Sequence, residues 1–230
     1  MTGARPLADE RGITIVELLV SMLIGLTVLG GIVTLVTVTA RSSGRVSERV
    51  AADQIARPMM TRIMNELHST CVSPGLAPIL AGSDGSSVSF IHGTGSAVAV
   101  TPAKRTVELN GDVLTDSTYE RTGGTAPNWT FATSPSQTYK LLENVGTIDS
   151  TPVFRYYAYE NGVIATDPLP TPLSDDDAAR TVEVAVAISV SPSKSGTSGE
   201  EGAPVQLSDS AFVRFSPSNE DTEEAGLPCS

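Results

Sequence analysis

Between Ile13 and Ala40 the chain reads ITIVELLVSMLIGLTVLGGIVTLVTVTA, roughly 28 residues with one charge, Glu17, where about 20 apolar residues span a bilayer as a helix. Such a run has few destinations: a membrane, or a bundle of like helices. Its polar residues are mainly Ser and Thr, which a membrane helix tolerates by bonding them back to its own backbone. Gly25, Gly30 and Gly31 lower helix propensity, or let neighbouring helices approach closely.

Three explanations compete for the segment. A secretory signal has an apolar stretch of about 7 to 15 residues before a small-residue cleavage site. Val38, Thr39 and Ala40 resemble such a site, but the run is about twice too long. A plain single-pass anchor fits the length and leaves Glu17 unexplained. An acid in an apolar span costs about 2.5 to 3.5 kcal/mol at the helix centre, less near its end, so a partner is expected.

The flanking residues suggest one. Arg11, Gly12, Ile13, Thr14, Ile15, Val16, Glu17, Leu18, Leu19 and Val20 resemble the processing site of type IV prepilins and type II secretion pseudopilins. In that family a membrane peptidase cuts after the glycine, the new N-terminus is methylated, and an acid stands fifth in the mature chain. The resemblance implies cleavage between Gly12 and Ile13, N-methylation of Ile13, and Glu17 as the fifth residue; Ile13 departs from the family's usual Phe. Cleavage creates an ammonium at Ile13 that is prohibitive unpaired in an apolar filament core. Glu17, one turn along, is placed to neutralise the ammonium of a neighbouring subunit. The arginines do not help with orientation. Arg5 and Arg11 precede the span while Arg41, Arg45, Arg49 and Arg57 follow it, so the positive-inside rule argues against an N-inside topology. A cytoplasmic N-terminus with the head outside the membrane follows from the resemblance alone.

Beyond Ala40, the residues Ala52, Ala56, Met60, Ile63 and Leu67 recur every three or four positions, while Arg49, Asp53, Arg57, Arg62 and Glu66 fall elsewhere. This is an amphipathic stem whose apolar face should pack on the head. Pro58 bends it or splits it in two. Unbroken from Ile13 to about His68, the helix would run roughly 84 Å.

The remainder reads as short strands and turns: Val88 to Ile91, Ala97 to Val100, Thr106 to Leu109, Val113 to Thr115, Thr130 to Ala132, Tyr139 to Leu142, Val153 to Glu160, Val163 to Thr166, Thr181 to Val190 and Ala211 to Phe215. Asn110-Gly111 and Asn161-Gly162 predict two tight type I′ hairpins. TVEVAVAISV is the best central strand. The expected fold is α+β and pilin-like, a long N-terminal helix on a mostly antiparallel sheet. Its expected parts are a leader at 1–12, a membrane or filament-core helix at 13–40, a stem at 41–69, a β-rich head at 70–215 and a flexible acidic tail at 216–230. The Gly/Ser-rich stretch at 191–204 is also expected to be flexible.

The long helix, the cysteine near its end, the hairpins, the FRYY strand and the late Val-rich strands resemble the larger minor pilins and J-type minor pseudopilins. A large, loop-rich head would be awkward in every copy of a dense filament, which favours a minor over a major subunit. The partners implied are other pilins or pseudopilins, the prepilin peptidase, the inner-membrane assembly platform, and membrane lipid before assembly. A single-pass anchored extracellular domain, binding or catalytic, is the alternative from another class.

The net charge is −11; the region from His68 onward carries about −12, and the residues before it are slightly positive. An acidic head repels phosphate, so nucleic acid is disfavoured as its partner. Cys71 and Cys229 match neither a redox nor a zinc motif. In an oxidising compartment a disulfide between them would close a long loop worth roughly 4 to 5 kcal/mol; two unlinked thiols are the alternative. His68 and His92 lack ligand neighbours at metal spacing and read as ordinary surface or helix-end residues. Asp175, Asp176 and Asp177 lack calcium-loop spacing and read as a solvated loop. Asn128-Trp129-Thr130 is a glycosylation sequon of the kind that arises by chance, and Trp129 itself suits a core or interface. With no hydrolase, phosphate-loop or dinucleotide motif, no catalytic residue, metal site or cofactor is expected, and the chain is read as a non-enzyme.

Overall fold

A computed structural model describes residues 13–71, 76–96, 99–125, 127–192 and 203–213. It falls into two compact units, Met1–Val46 and Ser47–Ser230, which are treated separately below. The architecture is α+β, a long N-terminal helix with antiparallel sheets.

Helix α1 runs Ile15–His68 without interruption, with Pro58 inside it. Within the first unit it is long and apolar enough to cross a membrane. Ile15, Leu18, Leu26 and Val38 are all at least half exposed, as are its other large apolar side chains, so this stretch has no apolar surroundings of its own. Its hydroxyls turn inward as expected: Ser21 Oγ donates to Leu18 O at 2.9 Å, Thr27 Oγ1 to Ile24 O and Thr34 Oγ1 to Gly31 O at 2.8 Å. The groups that would otherwise face hydrocarbon are thereby satisfied.

In the second unit α1 buries Ala52, Ala56, Met60, Ile63, Met64 and Leu67. The three- and four-residue spacing places them on one face, and that face enters a core closed by two sheets. The first sheet comprises β1 (Ser87–Ser96), β2 (Ala99–Asn110), β3 (Val113–Tyr119) and β6 (Gln137–Leu142) in that order. Between β3 and β6 lies a separate hairpin, β4 (Arg121–Thr125) with β5 (Asn128–Phe131). The second sheet holds β7 (Val145–Gly146), β8 (Phe154–Glu160), β9 (Val163–Ile164), β10 (Thr181–Val190) and β11 (Val205–Phe212), ordered β11-β10-β8-β9 with β7 also on β10. As the Val-rich sequence predicts, β10 is central: it pairs antiparallel with β7, β8 and β11. The fully buried side chains Val88, Phe90, Val107, Leu114, Phe154, Tyr156, Val184, Val186 and Ile188 complete the core.

Three local expectations need correction. Asn161 and Gly162, with φ of 55° and 82°, do form the two-residue turn in which both central residues take positive φ, the type I′ pattern. In the other hairpin Asn110 pairs with Val113, so the central residues are Gly111 and Asp112. Of the pair only Gly111 has positive φ, 64°, which is the type II′ pattern with glycine first. Asp175–Asp177 do not lie in a loop. They open a short helix, α2 (Asp175–Arg180), capped by Ser174 Oγ, which accepts from Asp177 N at 3.1 Å, and acids at a helix N-terminus complement its dipole. The β4–β5 hairpin is half unforeseen, since RTGGT lacks strand alternation. Gly124 makes it possible: its φ is 82°, and a Cβ there would stand 2.1 Å from Asn128 O.

The expected leader, most of the 191–204 connector, the tail and the terminal part of the Ala211 to Phe215 strand lie outside the described residues.

Candidate functional site

Thr14 precedes the first helical residue, and its Oγ1 accepts a hydrogen bond from Glu17 N at 3.2 Å, while its carbonyl accepts from Leu18 N at 3.1 Å. Thr14 is therefore the N-cap and Glu17 the third helical residue. Thr-x-x-Glu is the capping-box sequence, in which the acid is placed to reach back toward the cap's own N–H. Glu17 also lies in the first turn, where the helix dipole favours a negative charge. Ile13 is 75% exposed and Glu17 is exposed too. Ile13 and Thr14 are not helical, so no helical hydrogen bond locks the backbone on the Ile13 side of the Gly12–Ile13 peptide. Gly12 lies outside the described residues.

At the other end of α1, Cys71 is fully buried against Leu76 and Ile91, with Leu80, Trp129 and Phe131 packed on them. Trp129 is half-buried there, as its size suggests. Cys229 lies outside the described residues, and its pairing with Cys71 stays an expectation.

The most heavily desolvated charges occur where the sequence gives no sign of them. Arg105 on β2 and Asp116 on β3 are buried, 9% and 2% exposed, and paired. Arg105 Nε donates to Asp116 Oδ1 at 3.2 Å and Nη2 to Oδ2. From α1, Glu66 Oε2 stands 2.5 Å from Arg105 Nη1, and Arg62 Nη2 donates to Asp116 Oδ2 at 3.5 Å. His92 on β1 closes the group, with Nδ1 2.8 Å from Ser69 Oγ and 3.6 Å from Glu66 Oε2. The surface reading of His92 is thus overturned, for the ring is half-buried among charges. Burial holds its imidazole below the ordinary value, Glu66 pulls upward, and Arg105 adds a downward push. Burial likewise lowers Arg105, but Asp116 and Glu66 more than offset it and leave the guanidinium above its usual range. Two arginines facing two carboxylates make a neutral clamp between helix and sheet. Its members come from four separate elements, so no local pattern could have revealed it.

Elsewhere Asp84 caps a turn. Burial pushes its carboxyl up, but hydrogen bonds from the backbone and hydroxyls of Ser86 and Ser87 outweigh that and hold it below the carboxylate range. Tyr156 is buried, donates to Asp84 O at 3.0 Å and Ser87 O at 2.8 Å, and is pushed far above the phenolic range by burial first and the Asp84 charge second. Among the described residues no group of His, Cys, Asp or Glu side chains is arranged to hold a metal ion.

The chain matches no family model, no curated protein and no solved structure.

Proposed function

We propose that the chain is a minor pilin-like subunit of a type IV pilus or a type II secretion pseudopilus, cut between Gly12 and Ile13 and assembled through α1. The observation that carries this reading is the junction itself. Arg11, Gly12 and Ile13 run straight into an apolar helix whose side chains are exposed from its first turn, with an acid at the fifth place after the cut. In the membrane, lipid covers that surface; in a filament, neighbouring helices do. The ammonium released at Ile13 then meets Glu17 of an adjacent subunit, so that two expensive charges become one pair. In this reading the leader stays cytoplasmic, where the peptidase and assembly platform act, and the head lies outside. Mass spectrometry of the membrane-extracted chain tests it: a methylated Ile13 at the N-terminus is expected, and a chain beginning at Met1 or Arg41 overturns it.

A second reading has one observation in its favour. Glu17 is an acid in the first turn of α1, where the helix dipole gives its charge a local role that needs no neighbour, as suits a single-pass anchored extracellular domain. An unprocessed N-terminus would select it.

A further inference from the structure

The outer face of the second sheet carries a depression that owes nothing to the N-terminal helix. Cross-strand register aligns Arg155 of β8 with Ala185 of β10 and Ser210 of β11, and in the next row Tyr157 with Glu183 and Phe212. Ala185 brings only a methyl to the middle of its row. The sheet surface is therefore low between Arg155 and Tyr157 on one side and Ser208 and Ser210 on the other, with Glu183 at one end.

Arg155 is the unusual member. In this head Arg105 pairs with Asp116, Lys140 with Glu143 and Arg180 with Asp177, and Lys104 lies 4.1 Å from the ring centroid of Tyr119. Among the described residues of this head Arg155 and Arg121 have no such partner; Arg121 is exposed to water, whereas Arg155 is largely buried and its Nε has no hydrogen-bond acceptor. That Nε is closed to a ligand as it is to water, so the Nη groups are the side of the guanidinium that a ligand meets. A guanidinium presents a planar fork that matches a carboxylate.

The surroundings narrow the ligand. Glu183 lines the depression on the same face as Arg155, whereas Asp209 stands opposite the buried Val186 on the other side of β11, where its Oδ1 accepts from Ser210 N at 2.9 Å. One cation and one carboxylate, Arg155 and Glu183, share the site, within a head that is itself strongly acidic. A polyanion such as phosphate would be repelled, and a simple anion gains little. A ligand with a carboxylate at one end and a cation at the other meets both requirements. We propose that this depression binds a small zwitterion of the amino-acid or short-peptide class, its carboxylate on the Arg155 fork and its ammonium toward Glu183.

The test is an NMR titration of the full chain in lipid nanodiscs, following the Arg155 Nε–H resonance, which is assigned by its loss in Arg155→Lys. Glycylglycine is the probe; N-acetylglycine supplies the carboxylate alone, glycinamide the cation alone, and inorganic phosphate the polyanion. Glycylglycine should shift the resonance saturably with Kd on the order of 1 mM, and each half-ligand should bind at least about tenfold more weakly. Glu183→Gln, which leaves Arg155 in place, should shrink the preference for glycylglycine over N-acetylglycine to less than about threefold. Arg155→Lys should lose glycylglycine binding, read on the Ser210 amide, while keeping the urea midpoint of the parent. No saturable shift with glycylglycine overturns the proposal. So does N-acetylglycine binding as tightly, which marks a plain anion site, or phosphate binding more tightly than either.

Discussion

Arg105 and Asp116 are joined side chain to side chain although they do not face each other in register: Arg105 stands opposite Thr118, and Asp116 opposite Val107. The diagonal geometry leaves room for Arg62 and Glu66 to enter from α1. Removing one member of a buried pair strands the other's charge, whereas replacing both with apolar groups does not. Asp116→Ala should therefore lower stability by about 3 kcal/mol, and Arg105→Met/Asp116→Leu by clearly less. Urea unfolding followed by the fluorescence of Trp129, the single tryptophan, measures both. A loss below about 0.5 kcal/mol in Asp116→Ala would show that the clamp contributes nothing.

His92 sets a pH dependence whose sign follows from its depressed value. The unfolded chain takes up a proton near the ordinary imidazole value of about 6.5, and the folded chain only at lower pH. Stability is therefore full above that range and declines as pH falls through it. Asp84, also depressed, adds a loss in the same direction at more acid pH. The urea midpoint should drop between about pH 7.5 and 5.5, and drop less in His92→Asn. A midpoint that rises on acidification contradicts the assignment.

Gly124 is a sharp test of the β4–β5 hairpin. In Gly124→Ala the added carbon cannot stay 2.1 Å from Asn128 O at a φ of 82°, so the strands must part, at more than about 1 kcal/mol. Because Trp129 follows the contact, its emission should shift to the red while far-ultraviolet circular dichroism changes little. An unshifted spectrum would mean that the hairpin is not held as described.

Thr14 and Glu17 can be separated by chemistry. Thr14→Val removes the acceptor for Glu17 N and should speed hydrogen exchange at that amide about fivefold, the loss of a cap worth about 1 kcal/mol. Glu17→Gln keeps the capping capacity without the charge. If the acid acts by neutralising a neighbour's ammonium, Glu17→Gln and Glu17→Val should both be processed normally and incorporated poorly into filaments. Normal incorporation of Glu17→Gln would remove the charge-pairing mechanism.

Legibility in the sequence tracked the range of the interactions. The buried stem face from Ala52 to Leu67 follows from helical spacing, and only Met64 was added by the fold. The Val-rich run from Thr181 to Val190 announced a central strand because β-branched residues suit a pleated, half-buried surface. Turn chemistry located both Asn-Gly hairpins but erred by one residue at Gly111, where register rather than composition chooses the central pair. RTGGT was passed over and the triple aspartate taken for a loop because the deciding contacts, Asn128 for Gly124 and Ser174 for Asp177, are geometric. The clamp was invisible: Glu66, His92, Arg105 and Asp116 are scattered along the chain, and burial, which gives them weight, is a property of the finished core.

The place of β10 has a consequence for the order in which the head can be made. Its neighbours are drawn from residues 145–146, 154–160 and 205–212, so the last edge to close is also the last to be synthesised. Until β11 emerges, one side of β10 presents unpaired backbone groups on a strongly apolar strand, a surface prone to pairing with other chains. A ribosome that stalls before residue 205 would carry an incomplete sheet, and this sheet would gain its full cooperativity only with the eight residues of β11.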